Sequence, residues 1–297
     1  MSLHQPWVMA VQADIASADE RARLARAVEM QIGGEHQWIL LSTCHRVELY
    51  GFGTTPVIDS RLQVQTGEGA VRHLIRVAAG LESTIIGEDE VLHQVRDALA
   101  QARASRTLDK RLSRLFETAI AAGRRARAGR TDSSGNLAQR AVAWLQKRST
   151  LAGRTALIVG AGRMGSSLAH AARSAGAELT IASRNATRAR RLAQVYGGQG
   201  VDLAVGADLM LRSAAVAVAL AGPWLELQPP PGELPPVADM SAPSAIPAAV
   251  RTRLNGGFLG VDDLYVRTKP LPGGYTDEAV RIVTAKTSEY LGWLGTR

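Results

Sequence analysis

The sequence predicts an α/β protein: a small N-terminal α+β catalytic domain with a helical extension over 1–150, a Rossmann-type nucleotide-binding domain over 151–265, and a C-terminal linker-type helix over 266–297. Three observations predict it. An apolar run, a glycine-rich turn and an amphipathic helix follow one another between Thr155 and Gly176. Short apolar runs then recur at the spacing of parallel strands. Upstream, strand-like stretches flank a helix and lead into a long helical tract.

Taken in order, "WVMAVQA" (Trp7–Ala13) and "QWILLSTCHRVELYGFG" (Gln37–Gly53) read as strands around a helix over Ala18–Met30. From Gly67 to Lys147 the pattern is nearly all helical, broken near Gly87, Thr107 and Ser133–Asn136. Thr155–Val159 has buried-strand character, and the helix after it carries Met164, Leu168, Ala171 and Ala172 on one face. Glu178–Ala182 completes a βαβ unit, and Arg188–Tyr196 reads as the next helix. Ala214–Gly222, Pro235–Ser241 and Phe258–Leu264 are further parallel strands of a doubly wound domain. Thr276–Leu294 is one more amphipathic helix, preceded by "TKPLPGGY", whose proline and paired glycines do not continue a helix.

Composition excludes several classes. The 297 residues contain no apolar run of membrane-spanning length, and the N-terminus lacks a signal-peptide layout, so a soluble cytoplasmic protein is expected. A single cysteine excludes an internal disulfide and a cysteine-based zinc site, and the six histidines show no metal-type spacing. No metal is expected. The formal charge of +8 suits a polyanionic partner, although a preference for arginine over lysine produces the same balance.

Gly160-Ala161-Gly162-Arg163-Met164-Gly165 fits G-x-G-x-x-G in its proper context, after a strand and opening a helix. The first glycine allows the turn, the second admits a pyrophosphate, and the third lets helix and strand pack closely. At the end of the next strand an NAD site places an acid. Here stand Ser183, Arg184 and Asn185, with Arg188 one turn on, which suits a 2′-phosphate and hence NADPH.

The lone thiol, Cys44, lies where the apolar run Trp38–Leu41 turns polar at Ser42 and Thr43. A free cysteine is often no more than a small buried hydrophobe. Beside it, however, His45 and Arg46 supply positive charge that favours thiolate. Cysteine with nicotinamide also has a chemical purpose: a thiolate takes an acyl group as a thioester, which hydride reduces to an aldehyde.

"LLSTCHRVELYG" resembles the nucleophile segment of glutamyl-tRNA reductases, and "AVRHLIRVAAGLESTIIGEDEVLHQVRDALAQA" (Ala70–Ala102) is similar to that family's next block. "GAGRMG", "ADMSAPSAI", "GVDDL" and "SEYLGWL" follow in family order. The resemblance implies reduction of glutamyl-tRNA to glutamate-1-semialdehyde, the first step of the C5 route to tetrapyrroles. It implies Cys44 as nucleophile, His73 as its helper, Arg46 as the fork for the substrate carboxylate, and Thr43, Ser83, Glu88 and Gln94 as further glutamate contacts. It also implies an aminomutase partner that collects the aldehyde.

Departures cluster in the expected substrate pocket. His45 stands where the family has asparagine, Asp89 and Glu90 replace a Pro-Gln pair after Gly87-Glu88, and His93 replaces a glycine. The chain stops at Arg297, about where the family's dimerisation domain begins, which implies a monomer or a differently built dimer. The basic stretch Arg103–Arg130 suits a tRNA backbone or is a solvated helix face. Two alternatives stay open: a diverged reductase using another acyl donor, and a non-catalytic relative that binds nucleotide or tRNA.

Overall fold

The computed structural model describes residues 5–31, 37–83, 89–105, 107–128, 137–229, 231–264 and 273–296. It divides into two compact units, one formed by residues 1–134 with 266–297 and the other by 135–265.

In the first unit β1 (Pro6–Gln12) is followed by α1 (Ala18–Gln31), β2 (Trp38–Ser42), β3 (Arg46–Phe52) and β4 (Gln63–Thr66). They form an antiparallel sheet in the order β2-β3-β1-β4. Period-two alternation sends its side chains to two separate cores. Trp7, Met9, Val11, Trp38, Val47 and Leu49 meet Leu24, Ala25 and Val28 of α1. Val8, Ala10, Ile39, Leu41 and Tyr50 face the helices α2 (Glu68–Ala78), α3 (Asp89–Ser105) and α4 (Lys110–Ala128). The same alternation puts Arg46, Glu48, Tyr50 and Phe52 on one face of β3, so two charges enter the helix-facing core with it. Tyr50 packs edge-on to Phe116 of α4 at 5.3 Å.

The second unit starts earlier than the expected boundary at 150–151. Its α5 (Leu137–Gln146) buries Ala138, Ala141, Val142 and Leu145 in the same core as β5 (Thr155–Val159) and α6 (Arg163–Ser174), so this helix belongs with the nucleotide fold. After β6 (Glu178–Ala182) come α7 (Ala186–Tyr196), β7 (Gln199–Val201), α8 (Leu203–Leu209), β8 (Ala215–Val218), β9 (Val237–Asp239), α9 (Ala248–Arg253) and β10 (Phe258–Gly260). The parallel order β10-β9-β8-β5-β6-β7 is the Rossmann order, with the switch point between β5 and β8. Ala156 and Ile158 pack on one side of the sheet, Leu157 and Val159 on the other, as expected for a strand covered on both faces. The stretch expected as a last strand to Leu264 turns after Gly260 into a short 3₁₀ segment, Val261–Leu264.

The last helix, α10 (Gly273–Gly295), is not a separate segment as its expected boundaries imply. It seats Ala279, Ile282, Val283 and Tyr290 in the helical core of the first unit. Tyr290 Oη donates to the Arg111 carbonyl at 2.9 Å, and Tyr275 Oη donates to the Ala79 carbonyl at 2.7 Å. Among the described residues no helix is long and apolar enough to cross a membrane, and no cluster of histidine, cysteine and carboxylate side chains suits a metal.

Candidate active site

β2 and β3 form a hairpin whose connection is Thr43-Cys44-His45. Thr43 N donates to the Arg46 carbonyl at 2.8 Å and closes the turn. Thr43 Oγ1 accepts from the backbone of His45 and of Arg46, both at 3.2 Å, so this hydroxyl shapes the loop from inside. Cys44 is half-buried at the apex, and His45 and Arg46 are buried behind it.

Arg46 Nη1 pairs with Glu48 Oε1 at 3.1 Å, and its Nη2 donates to the Glu82 carbonyl. Both side chains are removed from water. Two guanidinium nitrogens of the expected substrate fork are thus already engaged by the protein. His73, from α2, places Nε2 at 2.9 Å from the same Glu48 oxygen, and Tyr50 Oη donates to the other oxygen at 2.5 Å. Burial alone would raise the Glu48 carboxyl. His73 and Arg46 beside it, with hydrogen bonds from His73 and Tyr50, outweigh that and hold it at about 2. Burial and the Glu48 carboxylate push the Tyr50 phenol well above its ordinary range, so it stays a donor.

Sequence reasoning did not assign Glu48 to the site, although its spacing from Arg46 on a strand was the available signal. The structure shows it to be the hub joining Arg46 and His73. Ser83 has a buried hydroxyl with no hydrogen-bond partner among the described residues. Glu90 and Gln94 lie half-buried on α3, and Asp89 opens that helix. Glu88 lies outside the described residues.

In the second unit, Gly160 has φ +119, and a Cβ there would sit 2.1 Å from the Ala219 carbonyl oxygen. A Cβ on Gly165 would sit 1.9 Å from the Gly160 carbonyl oxygen. Gly162 is the N-cap of α6, with no side-chain hydrogen bond, and a Cβ there would meet nothing within 4 Å. Gly160 and Gly165 therefore serve the fold, while Gly162 leaves open space before the N–H groups of a helix start. A dinucleotide pyrophosphate fits that arrangement. Ala161, Arg163 and Met164 complete the turn.

At the end of β6, Ser183 is buried and Asn185 caps α7, its side chain accepting from Arg188 N at 3.0 Å. Asn185 thus acts on the helix, while Arg184 and Arg188 are exposed. At the end of β9, Asp239 Oδ2 accepts from Ser244 Oγ at 2.7 Å and from Ala245 N at 2.8 Å. Asp239 Oδ1 accepts from Ser241 N at 3.0 Å, so this buried aspartate organises the "ADMSAPSAI" loop at the carboxyl edge of the sheet.

The basic stretch is partly spent within the protein. Arg103 pairs with Glu117, Arg111 with Asp109 and the Phe52 ring, and Arg114 lies over Trp293. Arg127 donates to the Ala78 and Gly123 carbonyls, while Arg124 and Arg125 are exposed.

A family model described as "Glutamyl-tRNAGlu reductase, N-terminal domain" matches residues 4–129. The glutamyl-tRNA reductase of Rubrobacter xylanophilus is 32% identical over 301 residues, covering 89% of this chain and 69% of that protein. The chain belongs to the glutamyl-tRNA reductase family.

A second family model, "Shikimate / quinate 5-dehydrogenase", matches residues 141–221, in line with a nicotinamide-nucleotide-binding domain. The glutamyl-tRNA reductase of Methanopyrus kandleri is 38% identical over 196 residues, 62% of this chain and 48% of that protein. The chain thus spans between about half and two thirds of the length of these glutamyl-tRNA reductases. The solved glutamyl-tRNA reductase of Methanopyrus kandleri aligns with 99% of this chain and 80% of its own, at 26% identity and a TM-score of 0.48.

Proposed function

We propose that this chain reduces glutamyl-tRNA to glutamate-1-semialdehyde with NADPH, through a thioester on Cys44. The observation that carries the reading is the half-buried thiol at the apex of a hairpin backed by the Arg46–Glu48–His73 cluster, in a family member that also holds a dinucleotide turn. The Cys44 thiolate attacks the aminoacyl ester carbonyl. A C–S bond forms, the ester C–O bond breaks, and the tRNA leaves with its hydroxyl restored. NADPH, when bound, supplies the hydride that takes the thioester to the aldehyde, as the C–S bond breaks and the thiolate returns.

His73, anchored on Glu48, is the group proposed to relay the proton. Thr43, His45, Arg46, Ser83, Glu88, Asp89, Glu90 and Gln94 are the proposed substrate pocket, with Arg46 oriented by Glu48. The tRNA backbone would meet Arg124 and Arg125, two exposed residues of the basic stretch. The reaction is assigned to the cytoplasm, with an aminomutase as the consumer of the aldehyde. The deciding assay follows NADPH oxidation and aldehyde formation from glutamyl-tRNA, wild type beside Cys44→Ser. Turnover that persists in the variant overturns the thioester, and turnover only with another acyl donor moves the substrate assignment.

The choice of NADPH over NADH is supported by Arg184 and Arg188, exposed past β6 with no acid between Ser183 and Arg188. Replacing both by alanine is expected to weaken NADPH binding by about a hundredfold or more, since each charge-assisted bond is worth about 1.5–3 kcal/mol. NADH binding should hardly change. Fluorescence titration with the two nucleotides checks this, and an equal loss for both would reject the assignment.

A further inference from the structure

We infer that Arg21 is a positioning residue for Cys44, gripping the thiol's own peptide from a neighbouring helix. Arg21 lies at the end of the first turn of α1 and is 1% exposed. Its Nη1 donates to the Ala16 carbonyl at 2.5 Å and its Nη2 to the Cys44 carbonyl. Burying a guanidinium costs several kcal/mol before compensation, and a leucine would fill the same place in this core without that cost. The charge is spent on the backbone of the chain's single cysteine.

The surroundings are built to hold it there. Ser17 and Glu20 form a reciprocal cap at the start of α1, with Ser17 N and Oγ both 2.8 Å from the Glu20 carboxylate, and Arg21 N donates to the Ser17 carbonyl at 2.8 Å. The hairpin turn is held at three successive residues. Thr43 N bonds the Arg46 carbonyl, Arg21 holds the Cys44 carbonyl, and Ala13 N donates to the His45 carbonyl at 3.0 Å. The backbone beneath the thiol is thereby fixed, with a permanent positive charge beside it.

Other charges face the turn. His45 follows Cys44 in the turn and Arg46 opens β3, with Arg46 offset by Glu48. His73 of α2 is on the same carboxylate, and Glu82 is engaged by Arg76. Arg21 differs from Arg46 in donating to the thiol's own carbonyl, so it favours the thiolate over the thiol.

The inference rests on the reading of Cys44 as a nucleophile, but its test needs neither tRNA nor nicotinamide. With a single cysteine, iodoacetamide alkylation of the full chain reports this thiol alone. Rates would be followed from pH 5 to 10 for wild type, Arg21→Lys, Arg21→Gln and Arg21→Met, each with its thermal melt. Loss of the charge in Arg21→Met is expected to raise the alkylation midpoint by about one pH unit, with roughly tenfold slower reaction at neutral pH. Arg21→Lys should stay near the wild-type midpoint. A folded Arg21→Met protein with the wild-type profile overturns the inference. If that variant does not fold, Arg21→Gln decides in the same way. A shifted profile in a chain that fails to reduce glutamyl-tRNA would leave Arg21 standing and reject only the proposed reaction.

Discussion

Glu48→Gln is expected to destabilise the first unit by about 3–5 kcal/mol at neutral pH, the usual loss when one partner of a buried ion pair is removed. The carboxylate is fully buried and receives Arg46, His73 and Tyr50, so its amide leaves the Arg46 charge without its counterion. The sign of the pH dependence follows. Glu48 is held at about 2 in the folded protein against an ordinary 4.5. Its contribution is therefore complete above about pH 4.5 and is lost as pH falls through about 2, roughly 3 kcal/mol in all. Urea melts at pH 7, 4, 3 and 2.5 should show the gap between wild type and variant closing with acid. Parallel curves across that window would show that Glu48 is not the group responsible.

Gly165→Ala is expected to lose both stability and nucleotide binding. Its Cβ would fall 1.9 Å from the Gly160 carbonyl oxygen, a backbone atom that cannot move without displacing α6 from β5. Overpacking of this kind costs about 1–3 kcal/mol. The helix start would also shift away from the pyrophosphate by the distance needed to relieve the clash, weakening NADPH by more than tenfold. Gly162→Ala is the informative contrast. Its Cβ meets nothing within 4 Å in the protein, and φ −88 suits any residue. The melting temperature should drop by less than about 1 kcal/mol's worth, the modest cost of alanine at an N-cap, whereas binding should fall because the methyl takes up space meant for phosphate. A Gly162→Ala protein that binds NADPH normally would count against the turn as the cofactor site.

The nucleotide fold was legible because its signals are local. A buried strand, a glycine turn and a helix occur within about twenty residues, and Gly160 and Gly165 are each required by a backbone atom close by. Edges were harder to read. β4, "QVQT", is exposed along its length and carries no apolar alternation, and β7 is only three residues long. The start of the second unit was displaced because a periodic pattern marks α5 as a helix without saying which core it joins. Cys44 and Arg46 were legible as candidates from the residues around them, and His73 through the family resemblance alone. Their hub was not, since Glu48 meets a histidine 25 positions away, and Arg21 meets the cysteine turn from 23 away.

The return of α10 to the first unit sets an order on synthesis. All of residues 135–265 leave the ribosome before the helix that carries Ala279, Ile282, Val283 and Tyr290. The nucleotide-binding unit has its whole sequence available first and can fold as it emerges. The thiol-bearing unit, begun earlier, waits with part of its helical core uncovered until α10 arrives. A nascent chain halted near residue 264 should thus already protect its nucleotide fold from protease, while the segment around Cys44 is still being cut.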